Sequence, residues 1–223
     1  IFPSFLGLLI LAAGVVPAPL SAQTDSQIAA ITKAATFDDA REVKALIDKG
    51  MSPNQKDPKG MPILMLAIQE KSMKTVDYLI NVKGIDLNQP NMTSETPLMF
   101  ASLYGLFPEV KVLVNQKEVP VNRTGWTPLH YAATHGDEDI VRLLLDQHAF
   151  VNAGSPNGTT PLMMAAQYGR ATTVKLLIEE GAEPLLKNEQ GLNALDFARL
   201  GNRVDAQAII SQAILRSQPR GKW

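Results

Sequence analysis

A nine-residue phrase recurs along this chain at a nearly fixed interval. Gly125-Trp126-Thr127-Pro128-Leu129-His130-Tyr131-Ala132-Ala133 returns as Gly158-Thr159-Thr160-Pro161-Leu162-Met163-Met164-Ala165-Ala166, and in worn form as Gly191-Leu192-Asn193-Ala194-Leu195-Asp196-Phe197-Ala198. Two earlier copies are Glu95-Thr96-Pro97-Leu98-Met99-Phe100-Ala101-Ser102 and Gly60-Met61-Pro62-Ile63-Leu64-Met65-Leu66-Ala67. With the Thr position as marker, residues 62, 96, 127, 160 and 193 give steps of 34, 31, 33 and 33. A unit of that length cannot bury its apolar side alone, so such a ladder must fold by stacking one copy on the next.

Each copy has a local reading. The Thr hydroxyl caps a helix by accepting from an orphan backbone N–H, and Pro suits the next position, where no N–H is needed. Gly two residues before Thr fits a tight turn with positive φ, and the Ala pair lets a neighbouring helix come close. A second helix follows each first one, with apolar stripes at helical spacing: Val76, Leu79 and Ile80; Val110, Leu113 and Val114; Ile140, Val141 and Leu144; Val174, Leu177 and Ile178. Gly50, Gly84 and Gly181 mark helix ends.

The pattern resembles the ankyrin repeat family, with its turn and two helices per 33 residues and its Thr-Pro-Leu-His-x-Ala phrase. The resemblance implies an all-α solenoid of stacked helix pairs with short β-hairpin loops, about five to six repeats, over residues 27–215. The repeats fall near 27–56, 57–90, 91–121, 122–154, 155–187 and 188–215, behind a linker at 23–26 and ahead of a tail at 216–223. Departures from the pattern are Met65, Met99, Met163 and Asp196 for the His, Pro62-Ile63 for Thr-Pro, Lys71 and Ser94 for Gly, and a short hairpin before Gly125.

The resemblance also implies a mode of action: a partner protein held on the concave surface formed by hairpin tips and first helices. The positions mapped there, and not used by the framework, include Met61, Met92, Glu95, Leu103, Tyr104, Arg123, Trp126, His135, Asn157, Tyr168 and Leu192. Tyr104, His135 and Tyr168 are equivalent and should form a row, with neighbouring helices about 8–10 Å apart. Trp and Tyr dominate binding energy at interfaces. Tyr104, Tyr168 and Trp126 are therefore candidate anchors; in the alternative reading the tyrosines cover helix junctions and Trp126 packs on the next hairpin.

Other chemistries find little support. With 21 basic and 22 acidic residues in 223, there is no basic field for nucleic acid. No Cys is present, which removes disulfides, thiolate nucleophiles and cysteine-bound zinc. His130, His135 and His148 lack ligand spacing, and the family resemblance gives His130 a role within the hairpin framework. Asp137-Glu138-Asp139 suits a helix start better than acid–base work. No nucleophile elbow, Walker loop or dinucleotide fingerprint occurs. Neither catalysis nor a cofactor is expected; the rival classes are an enzyme with an unrecognised site and a membrane-tethered adaptor.

At the amino terminus, Phe5 to Val16 are apolar or small, followed by Pro17, Pro19 and Leu20-Ser21-Ala22. That run is short for a membrane span and fits a secretory signal over 1–22, cut after Ala22. Ile1 stands where an initiator Met would, so the leader is expected to begin further upstream. The mature chain is then expected to be a periplasmic or extracellular monomer, free of membrane.

Overall fold

The computed structural model describes residues 24–217, and the expected leader at 1–22 and most of the expected tail at 216–223 lie outside them. Twelve helices form six antiparallel pairs among these residues. The first, inner helices are α1 (Asp25–Thr36), α3 (Ile63–Gln69), α5 (Pro97–Leu103), α7 (Pro128–His135), α9 (Pro161–Gln167) and α11 (Ala194–Leu200). The outer helices are α2 (Ala40–Asp48), α4 (Met73–Leu79), α6 (Phe107–Asn115), α8 (Glu138–Asp146), α10 (Ala171–Glu179) and α12 (Val204–Ser217). Each inner helix packs on the inner helix before and after it. The result is the all-α solenoid that the periodicity demands.

Local chemistry starts the helices where the sequence places them. Thr96, Thr127 and Thr160 are extended N-caps with Pro at the first helical position. The N-cap also needs an acceptor for its own N–H, and the residue three further on supplies it. In α7 this is His130 Nδ1, 3.1 Å from Thr127 N. In α5 and α9 it is a sulfur: Thr96 N donates to Met99 Sδ at 3.3 Å and Thr160 N to Met163 Sδ at 3.4 Å. Met therefore replaces His as a soft acceptor, in addition to filling space. Asp137 caps α8 by accepting from Ile140 N at 3.1 Å, as its sequence context requires.

The core is a continuous sheet of buried side chains between the helix layers, including Ile68, Leu98, Leu129, Leu144, Leu162 and Leu177, all fully buried. Small residues bring inner helices together. A Cβ built on Gly169 would lie 2.4 Å from the Ala133 carbonyl oxygen, so nothing larger than Gly fits that contact.

The loops differ from the expected β-hairpins. Apart from one isolated bridge, Lys56 to Pro62, the described loops carry no strand pairing. Side chains have taken the donors that a ladder would use. Asp57 Oδ1 accepts from Lys59 N and Met61 N, each at 2.8 Å; Asn91 Oδ1 accepts from Thr93 N and Glu95 N at 3.0 and 2.9 Å; Asn188 Oδ1 accepts from Gln190 N and Leu192 N, each at 3.0 Å. These are Asx turns. Two backbone bonds close each, as from Asp57 N to Met61 O at 2.8 Å with Gly60 N to Asp57 O at 2.9 Å, and from Asn91 N to Glu95 O at 3.0 Å with Ser94 N to Asn91 O at 3.2 Å.

One tip is shorter than the rest, and an asparagine staple shows where the residues are missing. Asn54 donates to Gly84 O and accepts from Asp86 N, Asn122 does the same with His148 O and Phe150 N, and Asn152 with Gly181 O and Glu183 N. Eight residues separate Asn54 from Pro62 and Asn152 from Thr160, but five separate Asn122 from Thr127. The step of 31 therefore removes three residues from the tip itself. Asn122 to Trp126 has no Asx turn and no closing backbone bond among those described.

Candidate partner-binding surface

The inner helices turn one residue per turn toward the concave side. At the position after the signature His these are Leu66, Phe100, Tyr131, Met164 and Phe197; one turn on they are Gln69, Leu103, Thr134, Gln167 and Leu200. Together with the loop tips they line two adjoining hollows. The larger, about 680 Å³, is an open groove at the amino-terminal end, bordered by tip residues Asp57, Lys59, Met61, Asn91, Met92 and Glu95, with Leu66, Glu70 and Phe100 beneath. The smaller, about 240 Å³, lies under the shortened tip between Leu103, Trp126, His130, Tyr131, Thr134 and Met164.

The expected contact residues divide between these hollows and the framework. Met61, Met92 and Glu95 meet in the groove, and Met92 is 79% exposed. Leu103 and Trp126 meet in the smaller cavity. Trp126 stands edge-on to His130 and Tyr131, with centroids 5.1 and 6.5 Å apart, so it packs within its own repeat and also walls the cavity. Tyr104, His135 and Tyr168 occupy equivalent ends of α5, α7 and α9. Tyr104 is half-buried edge-on to Phe100 at 5.8 Å, His135 lies over Gly105, and Tyr168 is 55% exposed.

Three expected contact residues are tied into the loops. Arg123 is exposed, but its guanidinium donates to Ser94 O at 2.8 Å and reaches Met99 Sδ at 3.9 Å, fastening the short tip to the one before. Asn157 Oδ1 accepts from Ser155 Oγ at 2.6 Å and from Thr159 N at 3.2 Å. Half-buried Leu192 closes the last Asx turn through its backbone and packs against the core. The sequence reading missed Tyr131, Met164, Phe100 and Leu66, which sit inside the repeated phrase; their one visible mark is that this position varies in size and polarity while the Ala after it holds.

A carboxylate bordering the groove is held by three neutral donors. Glu95 Oε2 accepts from Asn91 Nδ2 and Thr93 Oγ1 at 2.7 Å each, and Oε1 accepts from the Tyr131 hydroxyl at 2.7 Å. Burial alone would raise this carboxyl, but the bonds from Asn91, Thr93 and Tyr131 outweigh it and hold Glu95 below the usual carboxylate range. Burial, then the bond to Glu95, pushes the Tyr131 hydroxyl up. Burial, with Glu70 and Glu95 behind it, does the same to Tyr104. None of the three described ion pairs involves Glu70 or Glu95.

His130 serves the stack. Because its Nδ1 accepts from Thr127 N, the proton is on Nε2, which donates to Thr159 O in the next repeat at 2.9 Å. Burial pushes its pKa down to about 4, which keeps the ring neutral. Among the described residues no three His, Asp or Glu side chains gather as a metal-binding set, and no helix is long and apolar enough to cross a membrane. What this surface offers is recognition: apolar hollows, exposed aromatics and an oriented carboxylate.

Comparisons with known proteins agree with this architecture. Models of ankyrin repeats match residues 7–91, 88–155 and 146–198. The chain is 32% identical over 110 residues to the ankyrin repeat and SAM domain-containing protein 6 of Rattus norvegicus, across 48% of this chain and 12% of that protein. It is 32% identical over 119 residues to an ankyrin repeat protein of Rickettsia bellii, across 52% of this chain and 66% of that one. It thus spans less than two thirds of either relative. Among solved structures, a chain from the complex of a predatory endopeptidase of Bdellovibrio bacteriovorus with an immunity protein superposes with a TM-score of 0.69. It is 28% identical, over 82% of this chain and 97% of that one. An ankyrin repeat domain from Acinetobacter baumannii AYE gives 0.65 at 25% identity, over 82% of this chain and 96% of that one.

Proposed function

Because this chain belongs to the ankyrin repeat family, we propose that it is an exported, non-catalytic protein that grips a periplasmic or secreted enzyme on its concave face and acts as its inhibitor or protective partner. Ankyrin repeats are protein-interaction modules, and the observation that carries the reading is the set of apolar side chains the stack does not consume. Leu103, Trp126, Tyr131 and Met164 gather around an open cavity, while Met92 and Tyr168 stand largely in solvent. A solenoid that only had to be soluble would carry polar residues there.

Two further features support the finer parts. The structural relative, from a complex of an endopeptidase with an immunity protein, aligns over most of this chain, which supports an enzyme as the partner. The apolar run from Phe5 to Val16 with Ala22 behind it supports export. Amino-terminal sequencing of the protein from its native cell checks export directly: a chain starting at Gln23 agrees, and one retaining Phe5 removes that part.

The binding face is tested with photo-crosslinking residues at Met92 and Tyr168, against a control at Arg142 on α8, which is exposed on the outer layer. The expected result is one partner crosslinked from the first two positions and not from the third, and slower turnover by that partner once the chain is added. Equal labelling from both layers removes the concave-face reading. A partner whose turnover does not change removes the inhibitory role alone.

A further inference from the structure

The shortened tip does more than interrupt the row of loops. Three missing residues between Asn122 and Thr127 leave the inner helices uncovered at one place, and the cavity of about 240 Å³ opens there. Its walls are the side chains of Leu103, Trp126, Tyr131 and Met164. A dry cavity of about 150 Å³ accepts a benzene ring, so this one has room for a Phe, Leu or Met side chain.

Beside it is a carboxylate held ionised by neutral donors. Tyr131, which walls the cavity, donates to Glu95 Oε1, and Glu95 borders the neighbouring groove with Glu70. No Lys or Arg nitrogen lies within ion-pair distance of either carboxylate among the described residues. Arg123 on the next tip donates to Ser94 O and makes no described hydrogen bond or ion pair with Glu95. Asp57, also in the groove, spends its Oδ1 on its own turn, and Lys59 beside it makes no ion pair. A carboxylate desolvated by a partner without a counter-charge is costly, whereas a partner cation relieves that cost.

We propose that the notch and Glu95 form one two-part receptor for a partner segment bearing a Lys or Arg next to a large apolar residue, the cation resting on Glu95 and the apolar side chain filling the cavity. This deepens the recognition reading above and rests on it. The long stem of a Lys or Arg would lie along Phe100 and Leu103, surface that a Ser or Asn could not use. Acidic segments are disfavoured beside the Glu70 and Glu95 carboxylates.

The test uses the full chain with Trp223→Phe, which leaves Trp126 as the one tryptophan of two, and a library of random peptides displayed on phage. The expected peptides carry Lys or Arg within a residue or two of Phe, Trp, Leu or Met, and their synthetic forms change Trp126 fluorescence on binding. Glu95→Gln, which is isosteric, should weaken binding roughly tenfold, while Glu189→Gln on a distant loop leaves it unchanged. Replacing the peptide's cation by norleucine should weaken binding to the parent chain and not to Glu95→Gln, a cycle that needs no assumption about folding. Peptides that lack a basic residue, prefer an acidic one, are indifferent to Glu95→Gln, or are not enriched over a control protein overturn the receptor. If such peptides are still lost on Met92→Lys or Leu103→Lys, concave-face recognition stands without it; peptides insensitive to every concave substitution overturn that reading as well.

Discussion

The Tyr131 hydroxyl donates to Glu95 Oε1 at 2.7 Å, joining an inner helix to a loop tip 36 residues earlier. This bond is at once framework and surface. It locks the rotamer of one wall of the cavity, and it places a carboxylate at the cavity's edge. A face that is to recognise a partner at low entropic cost needs such pre-set side chains.

Tyr131→Phe removes that one donor and leaves the ring. The Glu95 carboxyl then keeps Asn91 and Thr93, and its pKa should rise toward the ordinary value. Since a carboxyl with a lowered folded pKa adds stability above its unfolded pKa and loses it as pH falls, the variant should lose about 1 kcal/mol at neutral pH, and less in acid. The figure is a charged hydrogen bond discounted for partial exposure. Carbon-13 NMR of the Glu95 carboxyl through a pH titration measures the shift, and an unchanged pKa would show that the bond does not hold the charge.

His130 gives the clearest pH dependence. It is neutral when folded, with a pKa pushed down to about 4 from 6.5, so the unfolded chain binds the extra proton between these values. Stability from this group is complete above about pH 6.5 and falls on acidification toward pH 4, by about 2–3 kcal/mol at pH 4.5. His130→Met installs the residue found at the equivalent positions 65, 99 and 163. It should cost about 1 kcal/mol at pH 7, because Thr159 O loses its donor, yet it should be at least as stable as the parent at pH 4.5. Urea unfolding of both chains at the two pH values measures this; parallel curves with no crossing would count against a neutral buried ring.

Thr75 and Thr173 hold equivalent places on α4 and α10, fully buried, and their hydroxyls have no hydrogen-bond partner among the described residues. The equivalent residue on α8 is Ile140, also fully buried. Thr173→Val keeps the shape and removes the orphaned hydroxyl, so it should leave stability unchanged or raise it by up to about 1 kcal/mol. A loss of more than that in urea unfolding would mean that the hydroxyl has a partner.

The stack itself was legible in the sequence because its causes are local: Thr127-Pro128 starts a helix by chemistry confined to a few atoms, and the period carries that start along the chain. The cavity was not. Tyr131 and Met164 belong to the repeated phrase, so reading by repeat assigned them to the framework, and only stacking reveals that their side chains face the open side. The step of 31 and the short hairpin before Gly125 were visible, but that all three missing residues come from the tip depends on Asn122 making the same bonds as Asn54 and Asn152, a relation between residues about 30 positions apart. Arg123, Asn157 and Leu192 looked free because the donors and acceptors they bond lie in the loops, where no periodic pattern announces them. Met99 and Met163 stood only as departures from the signature His, since nothing in a sequence shows a backbone N–H aimed at sulfur.

Ser94 offers a test of the loop geometry that does not involve any partner. It sits two residues before the marker, where the other repeats have Gly60, Gly125, Gly158 and Gly191 with φ between 76° and 82°, and it adopts the same left-handed conformation at φ 63°. A Cβ in that region costs about 1–2 kcal/mol, while Gly frees the unfolded chain by somewhat less. The carbonyl that receives Arg123 belongs to the backbone and survives the change. Ser94→Gly should therefore raise stability by about 0.5–1 kcal/mol, seen as a higher urea midpoint at unchanged slope. The converse change, Gly158→Ser, should lose at least as much, because its Cβ would also come within 3.4 Å of the Asn188 Cα. If both substitutions move stability in the same direction, the left-handed turn is not what places Gly at this position.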